Sequence, residues 1–219
     1  MARESTAARA PEARRRRILE ATVEMVRDRG FAGTRVTDIA AAAGTSPGLV
    51  LYHFGSLAGA LAQALTFVED AFYAALDADL ESVDGPVARL RHMAELAAGS
   101  GPAVGDWTLW LELWVRALRD DDARAARESL DRRWRAALRK VVVEGVAVGV
   151  FRPTDVAATT LRLSSLMDGL AIQLALAEPG MTPARFRRLW LEAAALELGV
   201  SAETFKAPRS RPASRRAAS

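Results

Sequence analysis

The sequence predicts an all-α protein of about nine helices, with a small three-helix domain at the N-terminus and a larger helical domain behind it. Three observations point there. Apolar residues recur at spacings of three and four along most of the chain, the period of a helix with one buried side. Glycine, proline, hydroxyl and acidic residues punctuate these runs where helix ends require them. No stretch alternates with period two beside a hairpin signal, so strands are not expected.

Composition narrows the class. The chain has 219 residues, half of them apolar, enough for a sizeable core. It has no cysteine, which excludes disulfide frameworks, thiolate metal sites and cysteine nucleophiles. No run approaches the ~18 apolar residues of a membrane span, and the N-terminus lacks the apolar core of a secretory leader. A soluble cytoplasmic protein is expected. Charge is uneven. Residues 1–17 hold six arginines against two glutamates, and residues 206–219 hold five bases and no acid. With a total of +3, residues 18–205 carry −6. A basic segment beside a nucleic-acid reader can neutralise phosphates. For the C-terminal run, a solvated tail is the simpler reading.

Residues 1–12 are polar and alanine-rich and are expected to form a disordered arm. The first helix should run from about Ala13 to Asp28, with Ile18, Ala21, Val23, Met25 and Val26 inward and Arg14 to Arg17 at its charged start. Gly30 stops it, and Phe31 should enter the core of the small domain. In residues 34–56, Ile39, Ala40 and Ala43 mark one side of a short helix that ends at Gly44. Thr45 or Ser46 can cap the next helix, and Pro47 suits its first turn. Val50, Tyr52 and Phe54 follow, and Gly55 ends the run. Two short helices across a glycine turn form a helix-turn-helix, whose second helix presents its N-terminal residues to the major groove. The same spacing also occurs in helical domains that bind no nucleic acid.

A fourth helix should begin with Ser56 as cap and reach about Asp79, with Leu57, Leu61, Leu65, Val68, Phe72 and Leu76 on one side. Asp84-Gly85-Pro86 opens a fifth, over about 86–98. The sixth spans about 105–118, the seventh about 123–148 behind the acidic cap of Asp120 to Asp122. The eighth covers about 154–177 and the ninth about 182–198, with Thr182 and Pro183 at its start. These last two are apolar around much of their circumference. A second copy of the chain would cover them as a four-helix interface. Burial within one subunit is the alternative. The expected domains are 1–12, 13–55, 56–200 and a basic disordered tail, 201–219.

The segment from about Arg17 to Glu69 resembles the N-terminal domain of the tetracycline-repressor (TetR) family of bacterial regulators. The resemblance rests on Ile18-Leu19-x-Ala21, Gly30-Phe31-x-x-Thr34, Asp38-Ile39-Ala40-x-x-Ala43-Gly44, Ser46-Pro47-Gly48 and Tyr52-His53-Phe54-x-Ser56. It implies a homodimer that binds double-stranded operator DNA and responds to a small molecule. It also implies contact roles for Arg35 and Thr37 at the start of the second helix, and for Thr45, Ser46, Pro47, Gly48 and Leu49 at the start of the third. Tyr52 and His53 are expected at phosphates. Gly48 permits close approach, and Leu49 suits a thymine methyl. Two positions depart from the family pattern. Leu51 stands where an aromatic or histidine is frequent. Leu57 stands where a phosphate-pairing lysine is frequent, which should lower the salt slope of binding by about one unit.

The C-terminal half is similar to the choline-sensing BetI-type subgroup through Trp110-Leu111-Glu112-Leu113-Trp114, Arg116, Met167-Asp168-Gly169-Leu170 and Gln173. Trp107, Trp110, Trp114 and Trp134, with Glu112 and Asp168, can form an aromatic box for a cation. A tryptophan stripe at helical spacing is also what a core looks like. His92, Met93, Phe67, Phe72 and Met167 are further candidates for a cavity wall, or for core packing. No cofactor, metal cluster, phosphate loop or base–nucleophile pair is apparent, so an enzyme is not expected. A repressor released by an effector is the leading reading. The competing one is a helical interaction module or a nonspecific DNA-binding protein without an effector.

Overall fold

The computed structural model describes residues 2–99 and 107–206, with side chains from Pro11 onward. Among these residues there are nine α-helices and one 3-10 turn, and no strand. The helices are α1 (Ala2–Arg29), α2 (Val36–Ala42), α3 (Pro47–Phe54), α4 (Leu57–Ser82), α5 (Pro86–Ala97), α6 (Trp107–Ala117), α7 (Asp121–Ala147), α8 (Val156–Ala175) and α9 (Pro183–Glu197), followed by the turn η1 (Ala202–Phe205).

Both ends differ from expectation. Helix α1 begins at Ala2, so residues 2–12 continue the helix instead of forming an irregular arm. Pro11 removes one backbone donor inside it, but Ala7, Ala8, Ala10 and Ala13 around it are strong helix formers. At the other end, residues 202–205 form η1 because Phe205 is buried, its ring centroid 6.4 Å from that of Phe151. Residues 207–219, the rest of the expected tail, lie outside the described residues.

The caps follow the sequence. Ser46 Oγ accepts the Leu49 N–H at 3.3 Å, Ser56 Oγ accepts that of Gly59 at 2.9 Å, and Asp120 accepts that of Ala123 at 2.9 Å. Each such cap contributes about 1 kcal/mol. Gly44 has φ +60°, the left-handed value that lets the chain reverse between α2 and α3.

Two apolar clusters hold the chain, and they meet inside α4. The first unites Ile18, Val26, Ile39, Val50 and Phe54 of α1 to α3 with Ala60, Leu61, Ala64 and Leu65 of α4 and with Leu109 and Leu113 of α6. The second unites Tyr73, Leu76 and Leu80 of α4 with α5, α7, α8 and α9. The packing therefore divides within α4, not at residue 55. Full burial of each leucine or isoleucine contributes roughly 2 kcal/mol, so the first half of α4 is as much part of the small domain as α1 is. In the second cluster a Cβ on Gly145 would lie 1.9 Å from the Phe151 ring, so glycine is required where the chain after α7 folds back. A half-buried ion pair, Arg89–Glu144, ties α5 to α7, and a more exposed one, Arg162–Glu197, ties α8 to α9.

Candidate nucleic-acid interface and interior cavity

Helix α3 turns Val50 and Phe54 into the first cluster and leaves its other side open. Arg35, Thr37, Ser46, Pro47, Gly48 and Tyr52 are exposed, and Thr45, Leu49 and His53 are half-buried. Tyr52 is 82 % exposed, unusual for an aromatic on an apolar helix. A Cβ on Gly48 would meet only Ser46 Oγ, at 4.0 Å, so the fold itself does not require glycine there. The start of α2, the turn and α3 carry these nine residues, six of them exposed.

The neighbouring basic run is only partly free to serve this surface. Arg15 donates to Gln63 Oε1 and lies over the Phe54 ring, 5.6 Å from its centroid, while Arg16 pairs with Glu20 at 2.8 Å. Leu57 packs half-buried against the first cluster. Its apolar side chain has a structural partner where a lysine would have reached outward.

Behind the surface, α4, α5, α6, α7 and α8 line a partly open cavity. Phe72, Tyr73, Trp107, Trp110 and Trp134 supply aromatic walls, and Leu96 and Met167 aliphatic ones. Glu69, Asp131 and Asp168 bring three carboxyls, against one base, Arg135. Glu69 is 4 % exposed, and its Oε1 accepts the Trp110 indole N–H at 2.9 Å. Burial pushes its pKa up to about 7, opposed by that hydrogen bond and by Arg133. Burial likewise pushes Asp168 up to about 7, and the charge of Asp131 adds to the rise. Tyr73 is raised by burial and then by Glu69. Asp131 is raised by burial and pairs with Arg127 at 2.9 Å.

Of the sequence candidates, Trp107, Trp110, Met167 and Asp168 line the cavity, together with Phe72 and Trp134. Five candidates do not. Glu112 lies two residues beyond Trp110, on the opposite side of α6, and its Oε1 accepts the Phe31 N–H at 3.0 Å. Trp114 lies a turn further along, half-buried against the first cluster, its ring 6.0 Å from that of Trp110. Phe67, two residues before Glu69, also faces the first cluster. His92 bonds Asp79 Oδ2 at 3.1 Å, and Met93 is fully buried in the second cluster.

Sequence reasoning missed Glu69, Tyr73 and Asp131. A signal existed for the first two. Leu61, Leu65, Glu69 and Tyr73 continue at intervals of four along the buried stripe of α4, so a carboxyl sits where an apolar residue is expected. Helix α6 also joins the two sites: Trp110 borders the cavity, while Glu112 and Arg116 hold the α1–α2 turn. The Arg116 guanidinium lies 4.0 Å from the Phe31 ring centroid.

Among the described residues no single helix is long and apolar enough to cross a membrane. Nor do they hold a cluster of three or more potential metal-ligating side chains. Comparison with known proteins agrees with the two-part architecture. Residues 18–63 match the profile of bacterial regulatory proteins of the tetR family, and residues 86–199 match that of the BetI-type transcriptional repressor C-terminal region. The HTH-type transcriptional regulator BetI of Ectopseudomonas mendocina is 29 % identical over 186 residues, spanning 80 % of this chain and 89 % of the relative. Among solved structures, one from Saccharomonospora viridis, described as a transcriptional regulator in complex with choline, has a TM-score of 0.73 at 29 % identity and covers 80 % of this chain and 92 % of that one. A TetR-family structure from Rhodococcus sp. has a TM-score of 0.74 at 28 % identity, with coverage of 85 % and 99 %. This chain belongs to the TetR family of bacterial transcriptional regulators, with a C-terminal half of the BetI type.

Proposed function

We propose that the protein is a cytoplasmic repressor that leaves its operator when a small organic cation enters the cavity. The observation that carries this reading is α6, whose two sides touch the cavity and the DNA-reading domain at once. A ligand that displaces Trp110 moves the helix that holds Phe31. Arg35, Thr37, Tyr52 and His53 serve the phosphates, and Thr45, Ser46, Pro47, Gly48 and Leu49 approach the base edges and the adjoining backbone. The class of effector follows from the lining. Aromatic faces and an excess of carboxyls attract a cation, and the relative from Saccharomonospora viridis was crystallised with choline.

The working form is a homodimer through α8 and α9. Leu163, Leu170, Phe186, Trp190 and Leu198 are buried within the subunit. Leu161, Leu176 and Leu196 remain 54 %, 68 % and 85 % exposed, which supports a second copy as their cover. Two reading heads then face successive major grooves.

Footprinting on DNA upstream of the protein's own gene tests the reading. A protected near-palindrome with two half-sites is expected, and millimolar choline or a related ammonium ion should release it. Binding that is indifferent to sequence in competition would overturn it. So would operator binding that no organic cation alters.

A further inference from the structure

Helix α3 carries almost no hydrogen-bonding chemistry. Among its eight residues only Tyr52 and His53 have a polar side chain. None is an arginine, lysine, asparagine, glutamine or acid, the side chains that pair with the donor and acceptor atoms of base edges. Tyr52 and His53 serve the phosphates. Just before the helix, Ser46 Oγ accepts the Leu49 N–H as a cap. A threonine hydroxyl such as that of Thr45 can bond to more than one kind of base and so distinguishes little.

The side that remains for the bases is apolar. Val50 and Phe54 are buried in the first cluster. Leu51 is 44 % exposed and belongs to neither cluster. A surface leucine is ordinary by itself, but the position of this one is not. Gly48 and Leu51 are three residues apart and therefore share one side of α3. A Cβ at Gly48 would meet only Ser46 Oγ, at 4.0 Å, so open space lies in front of the backbone there. A duplex can come against α3 at Gly48, and one turn along the same side stands Leu51, next to the exposed Tyr52.

We infer that Leu51 reads a base, and that each operator half-site presents a thymine methyl to it. The inference rests on the DNA-binding reading and goes further by naming what the recognition helix recognises. The C5 methyl of thymine is the apolar group that a base pair displays in the major groove. Leu51 and this methyl shield each other from water. A cytosine at the same place would turn its N4 donor toward a side chain that cannot accept, and a guanine would leave O6 and N7 unmet. Leu51 thus selects A·T over G·C without making a hydrogen bond.

Selection of bound duplexes from a random pool by the full-length protein supplies the operator. Its thymines are then replaced singly by deoxyuridine, which lacks only the methyl, and fluorescence anisotropy reads the affinity. At least one thymine per half-site should be sensitive, with binding about fourfold weaker for one methyl lost and about tenfold or more when both half-sites are substituted. Leu51→Ala should weaken binding to the thymine operator and abolish the deoxyuridine penalty. Leu51→Met keeps an apolar side chain and should retain it. A merely structural role for Leu51 would weaken both duplexes alike and leave the penalty intact. The proposal falls if no thymine in either half-site responds to loss of its methyl, or if the penalty survives in Leu51→Ala. If the selection enriches no sequence, the DNA-reading proposal itself falls and takes this inference with it.

Discussion

The reading surface and the cavity are built in opposite ways. Helix α3 hides Val50 and Phe54 and exposes most of the side chains assigned to DNA. The cavity keeps Glu69, Tyr73, Trp110 and Trp134 below a tenth exposed. Residues on an open surface can change chemistry with little effect on the fold. Residues around a buried cavity hold the protein together as well as its ligand, so stability and binding change together there.

Gly48→Glu should show the sharpest separation. Nothing lies closer than 4.0 Å to a Cβ at that position, so the melting temperature should stay near that of the native protein. A carboxylate facing phosphates should weaken operator binding by a hundredfold or more, measured by fluorescence anisotropy. Unchanged affinity would remove α3 from the DNA interface.

The cavity predicts coupling between pH, stability and cation binding. The Glu69 carboxyl is raised from 4.5 to about 7, so between those values the folded protein holds a proton that the unfolded chain has lost. Stability is then fully present below about pH 4.5 and falls as pH rises through 7. The loss is at most about 3 kcal/mol for Glu69, and Asp168 acts in the same direction. Thermal melts from pH 5 to 8 should show this decline, flatter in Glu69→Gln and partly reversed by a saturating cation. A cation should bind more tightly at pH 8 than at pH 6, because it favours the ionised carboxyls. A flat profile in both respects would mean that neither carboxyl is held in its neutral form.

The smallest effect is expected between the two sites. Glu112→Ala removes one charged hydrogen bond to the Phe31 N–H, worth about 1–2 kcal/mol. Operator affinity without effector, or the effector concentration needed for release, should change by roughly fivefold. Cation affinity in the absence of DNA should change little. No change in either DNA measurement would show that α6 does not link the sites.

The contrast also explains what the sequence made legible. Helix-turn-helix punctuation is local: Gly44, Ser46, Pro47 and Gly55 act on their immediate neighbours, and the structure places each where its chemistry suggests. The cavity depends on which sides of five helices meet. Trp107 and Trp110 were identifiable as a pair one turn apart, but Glu112 was assigned to the wrong side of the same helix. Glu69 lies between Val68 and Asp70 and reads locally as solvated. Only the four-residue ladder from Leu61 to Tyr73 places it inside. His92 illustrates the converse. It is a rare residue in this chain, but its partner is Asp79, and the pair only joins α5 to α4.

Because α4 belongs to both clusters, it can act as a lever. From Glu69 to Leu57 the helix rises about 18 Å. Pivoted at the cavity, a tilt of only ~10° would carry its other end sideways by about 3 Å, close to the ~3.4 Å step between neighbouring bases on one strand. In a symmetric pair, both heads would shift. A modest rotation could therefore put two readers out of phase with a fixed stretch of duplex while leaving each reader intact.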